Sequence, residues 1–234
     1  MSSFDALLKI LELDGVKYVI SNDLDKYKEK REDWDQYVKG IKYIFVGDNP
    51  GDEEEQNKVY FCEKGKTGTN IRNFTKDFLV LDWDKDIFAI NKSLVHTKKT
   101  ADLKGTETDE SQELVANLIN EITKENVNCF VCIFGIDSYH SDYFKVFFEK
   151  LKKDSELRLY YHPSRRYPIS IKEQDEIEAY VEKLIEEKKL TNDQMKKFRN
   201  KVFKVYGERL YKFYNKNQIK VSSIMKKIDV SKLV

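Results

Sequence analysis

Three polar stretches carry residue types able to do chemistry: Gly47-Asp48-Asn49-Pro50-Gly51, Asn91, and His162-Pro163-Ser164. Each follows a short apolar run. A carboxylate such as Asp48 can take a proton from water. Asn49 and Asn91 each offer a donor and an acceptor, and His162 can donate from a ring nitrogen. Two of the three prolines, Pro50 and Pro163, sit inside these stretches, and Pro168 lies just beyond. Proline fixes φ, so a sequence this sparing with it is stiffening two loops.

The elements that must position these groups are legible as hydrophobic patterns. Short apolar runs at residues 41–46, 86–91, 129–134 and 157–161 read as buried strands. Apolar residues at helical spacing predict helices over 4–13, 23–38, 70–79, 109–124, 136–151 and 171–189. Residues 52–69 read as irregular and 92–108 as a polar loop. Thr191 is placed to N-cap a last, basic helical segment.

Strands alternating with helices predict an α/β fold, three-layer α/β/α with a central four-stranded parallel sheet, plus a helical C-terminal extension. We divide it into an α/β domain, 1–187, and a basic extension, 188–234. In parallel sheets of this kind, ligands sit outside the carboxyl ends of the strands. Asp48 and Asn49, Asn91, and His162 with Ser164 are therefore expected to share one cleft.

Composition narrows the classes. Of 234 residues, 40% are apolar and 35% charged, ample for a core in a water-soluble chain. No apolar run approaches the roughly 18–20 residues of a membrane span, and the N-terminus lacks a basic start followed by an apolar stretch. Three cysteines, an odd number, fit a reducing compartment, so a cytoplasmic protein is expected. Residues 188–234 hold 14 Lys and Arg against 3 Asp and Glu, while 1–187 carry a net charge of −10. An acidic body with a basic extension suggests a polyanionic partner; an amphipathic helix with a solvated lysine face is the plainer reading.

Together, Gly47-Asp48-Asn49-Pro50-Gly51 after the first strand and His162-Pro163-Ser164 after the last resemble the uracil-DNA glycosylase superfamily. The first stretch is similar to the Gly-x-Asn-Pro-Gly loop of its single-strand-selective and mismatch-specific branches. The second is similar to the His-Pro-Ser loop of the single-strand-selective and classical branches. The resemblance covers roughly residues 42–168. It implies a monofunctional DNA glycosylase of base excision repair, expected to be a monomer, that flips a deaminated base, such as uracil, and hydrolyses its bond to the sugar.

The resemblance also implies roles. Phe61 stands where the family stacks an aromatic ring on the base, and Asn91 where it reads the pyrimidine edge. His162 would stabilise the departing base anion. Asn49 would orient the attacking water, or Asp48 would activate it, since the iron–sulphur branch carries an acid there. Gly47, Pro50 and Gly51 would shape the base pocket, with the Pro50-Gly51 backbone and Ser164 holding phosphates. Arg165, Arg166 and Tyr167 replace the family's usual continuation and are candidates for the wedge that fills the vacated duplex. DNA is the implied partner, with no membrane. No cofactor or metal is implied, three cysteines being short of the four thiolates of an iron–sulphur cluster. A binding protein that has lost catalysis on the same fold is the alternative.

Other polar residues have plainer readings. Glu53-Glu54-Glu55 reads as a solvated acidic run, and His96 and His140 as solvated positions. Cys129 and Cys132 read as core filling, and no lysine stands out as a nucleophile.

Overall fold

The computed structural model describes residues 1–15, 17–135, 142–152, 157–160, 162–163, 171–188 and 191–213. Four parallel strands, β1 (Tyr43–Gly47), β2 (Ile87–Asn91), β3 (Phe130–Phe134) and β4 (Leu157–Tyr160), form one sheet in the order β2-β1-β3-β4. Every residue of β1 and β3 is buried. That follows from helices covering both faces, and it explains why the strands read as unbroken apolar runs. The three-layer α/β/α arrangement expected from the sequence is the one present.

Ten helices among the described residues dress the sheet: α1 (Ser3–Leu11), α2 (Asn22–Asp25), α3 (Arg31–Gly40), α4 (Asp52–Asn57), α5 (Lys66–Asn73), α6 (Trp83–Asp86), α7 (Thr106–Glu125), α8 (Lys145–Lys150), α9 (Ile171–Lys188) and α10 (Asn192–Phe213). The helices α1, α3 and α8 pack against α7. The indole of Trp34, on α3, lies edge-on to Phe88 of β2 and donates to Ser3 Oγ at 2.9 Å. On the sheet's other face the rings of Tyr43 and Tyr160 meet Phe203 of α10, and Phe74, in the π-helical turn Phe74–Phe78 that continues α5, meets the same ring.

The boundaries differ from the sequence reading in three places. The stretch 23–38 is two helices, α2 and α3. Residues 52–69 are not irregular, for α4 and the start of α5 lie there. Gly51 caps α4 in extended backbone and Glu54 reaches back to its N–H at 3.0 Å, with four acids in the first turn facing the positive end of the helix dipole. Of the helix expected over 136–151, residues 136–141 lie outside the described residues and α8 ends the stretch.

The basic segment contributes to the core. Phe198, Val202 and Phe203 are buried; Phe203 stacks on Tyr160 at 4.5 Å between centroids, and Tyr43 donates to Asn200 Oδ1 at 2.6 Å. Among the described residues no helix is long and apolar enough to cross a membrane. Because Phe203 touches rings from β1, β4 and the π turn, Phe203→Ala should cost about 3–5 kcal/mol, the usual range for emptying a buried aromatic site. Urea denaturation followed by tryptophan fluorescence checks this, with one cooperative transition shifted as a whole.

Candidate functional site

Parallel register sets the site. Gly47 pairs with Asn91, and Phe134 with Tyr160, so the carboxyl ends of all four strands lie along one edge. Gly47 is required there. A Cβ on it would fall on the Asn91 amide oxygen and come within 3.1 Å of the tip of the Phe61 ring. The missing side chain therefore leaves room for both the Asn91 amide and the tip of the Phe61 ring over the end of β1.

Phe61 is 2% exposed and takes a left-handed φ of 50°. That conformation costs an L-residue roughly 1–2 kcal/mol. Hydrogen bonds on both sides hold it: its N–H donates to Glu54 Oε1, and its carbonyl accepts from Arg72 Nε at 2.8 Å. Its ring stands edge-on to Trp83 and Phe134, and the Arg72 guanidinium lies over the Trp83 ring at 4.3 Å.

Glu54 joins three parts of the site. Its carboxylate accepts from the Gly51 N–H, the Phe61 N–H and, at 3.4 Å, the Asn91 Nδ2. A carboxylate only accepts, so the Asn91 amide nitrogen faces Glu54 and its oxygen turns toward Gly47. Burial raises the Glu54 pKa above its ordinary 4.5, and the three donors partly offset that. The middle glutamate of a run read as solvated is thus directed inward. The Gly51 N–H, expected to hold a phosphate, is already donated to Glu54.

The second cluster centres on Asp48, 7% exposed. Lys92, the residue after Asn91, has no exposure at all; its ammonium bonds Asp48 Oδ1 and the Phe134 carbonyl and lies 4.7 Å from the Phe144 ring centroid. Asp48 Oδ2 stands 3.8 Å from His162 Nε2, ion-pair range but longer than a hydrogen bond. Gly135, at φ +81°, closes the other side, where a Cβ would collide with the carboxylate. Reading 92–108 as a polar loop missed this lysine. Its backbone continues the ladder, with Lys92 N–H on the Gly47 carbonyl at 2.9 Å, and this carries its side chain under the sheet edge.

Asn49 points elsewhere. Its Nδ2 donates to Thr97 Oγ1 at 3.1 Å and its Oδ1 accepts from Thr100 Oγ1 at 3.1 Å, so the amide staples the 97–100 loop. His96, read as solvated, sits under the same loop: Nδ1 is 2.9 Å from the Pro50 carbonyl, and Nε2 is 3.5 Å from Asp52 and 3.4 Å from Glu55. The Pro163 carbonyl accepts from Asn70 Nδ2 at 2.7 Å, which fixes the loop behind His162. Ser164, Arg165, Arg166, Tyr167 and His140 lie outside the described residues.

The structure thus brings together Gly47, Phe61 and Asn91 as one group and Asp48 and His162 as another, and adds Glu54 and Lys92. Set beside known proteins, the chain matches no family model and no curated protein.

A glutamine at position 54 can accept on one side only, leaving an N–H facing an NH₂, whereas a protonated carboxyl still accepts at both oxygens, so Glu54→Gln should cost about 1–3 kcal/mol near pH 4.5. The raised Glu54 pKa means the native state holds that proton longer than the unfolded chain does. Stability from this group is complete below 4.5 and declines as pH rises through the folded value. The deficit of the glutamine variant should therefore narrow with rising pH, as urea titrations across pH 4–8 would register.

Proposed function

We propose that this chain is a DNA glycosylase of the uracil type. The observation that carries the reading is that the Phe61 ring tip and the Asn91 amide oxygen both lie over Gly47, with Asp48 and His162 on the same edge of the sheet. An aromatic ring beside a fixed amide suits a planar base taken out of the stack. Stacking on the ring returns roughly 1–3 kcal/mol of the cost of flipping.

Specificity follows from the Asn91 orientation. With its nitrogen toward Glu54, the amide oxygen accepts from the N3–H of uracil, a proton that cytosine lacks, and the second amide hydrogen serves O4. As the glycosidic bond breaks, its electron pair goes to the base and the sugar becomes cationic. A His162 donor stabilises the base anion. Water adds to the sugar carbon and its proton passes to Asp48 Oδ2. Asp48 takes this role in preference to Asn49, whose amide holds Thr97 and Thr100.

The test is release of base from single- and double-stranded oligonucleotides carrying one uracil, read as alkali-cleavable sites. The parent should release uracil. His162→Gln and Asp48→Asn should each lose about 10²–10³-fold in rate, the usual loss for one such group. Asn49→Ala, by loosening a loop only, should lose less than about 10-fold. Release of hypoxanthine or xanthine in place of uracil would move the base preference. Tight DNA binding with no base released from any substrate would favour the non-catalytic binding protein.

A further inference from the structure

Lys92 is the least expected residue of the site: no surface of it is exposed, and it stands one residue beyond the base-reading Asn91. Three groups from separate parts of the chain converge on it: Asp48 from the loop after β1, the Phe134 carbonyl at the end of β3, and the Phe144 ring just before α8. We propose that Lys92 is a positioning residue that serves the reaction through Asp48. This rests on the glycosylase reading above.

The geometry gives it two tasks. Its bond to Oδ1 stops the Asp48 carboxylate from turning, with Gly135 closing the other side, so that Oδ2 is the oxygen directed to His162. Its charge also offsets the cost of burying that carboxylate where little water reaches it. Lys92 from the end of β2 and His162 after β4 are charged or titratable groups that face Asp48, with the uncharged Phe134 carbonyl at the end of β3 on Lys92 and Gly135 just beyond it against the carboxylate. A buried carboxylate deprived of its cation favours the protonated form, which cannot accept a proton from water. Lys92 itself forms no bond to the substrate.

A cycle of variants in single-turnover uracil excision tests this. Lys92→Met should slow the chemical step by about 10²-fold while leaving DNA affinity within about threefold, and should shift the acid side of the pH–rate profile to higher pH. In an Asp48→Asn background the same substitution should change the rate by less than about twofold, because the group it acts through is already gone. Circular dichroism melts accompany each variant. If Lys92→Met does not fold, Lys92→Gln decides by the same rate and pH profile, since it keeps a donor within the buried site while removing the charge. An unchanged rate and profile in Lys92→Met, or an equal loss in the Asp48→Asn background, overturns the assignment and leaves the glycosylase reading intact. A parent that releases no base from any substrate overturns both.

Discussion

A lysine ammonium with no access to water has to be neutralised where it sits, and the carboxyl edge of this sheet is built around that requirement. Taking either ion of such a pair out of water costs of order several kcal/mol, recovered only when geometry and further hydrogen bonds are good. Lys92 meets the condition with the Asp48 carboxylate, a main-chain carbonyl and an aromatic face. Each partner belongs to a different segment. The pair therefore fixes the loop after β1, the end of β3 and the turn before α8 relative to one another, and Gly135 is the residue without which the carboxylate would have no room.

Two acids in this site live in opposite surroundings. Asp48 is held by a full positive charge; Glu54 is held by three neutral N–H groups and lifted by burial. Environments that differ in this way separate the duties of neighbouring carboxylates. Asp48 faces the histidine and suits proton transfer. Glu54 faces the backbone of Phe61 and the amide of Asn91, and suits holding a pocket in shape. The strained φ of Phe61 belongs to the same design, because its N–H and carbonyl are each taken by a charged side chain, Glu54 and Arg72.

The four strands and the sheet type were legible because burial on both faces leaves an unbroken apolar run, whatever the neighbours. The strand-end positions of Asp48, Asn91 and His162 were legible for the same reason. Which way a side chain turns in a loop was not. Asp48 and Asn49 are adjacent and chemically similar, yet one turns under the sheet and the other out to Thr97 and Thr100, a choice made by partners about 44 and 50 residues away. Lys92 reads as loop because lysine is seldom fully buried, and its burial depends on an acid met only after the strands pair. Glu54 was within reach: Gly51 followed three residues later by Glu is the spacing of a capping box, which marks one glutamate of the three as turned back.

The charge asymmetry of the chain takes on a definite shape once α10 is in place. Lys204 lies 4.6 Å from the Phe130 ring centroid and 5.7 Å from that of Tyr43, and those residues begin β3 and β1. The site is at the other end of the same strands, four residues on, or about 13 Å at the strand rise. That exceeds the screening length of about 8 Å at physiological salt. Lys204 therefore contributes little to the potential at Asn91. One helix end at the site is that of α4, whose first turn is acidic and whose Gly51 N–H is filled by Glu54. A helix N-terminus otherwise attractive to phosphate is occupied by the protein's own carboxylate. On the glycosylase reading, then, the nucleic-acid backbone is gripped away from α4, and the pocket admits a base while its acidic rim turns phosphate aside.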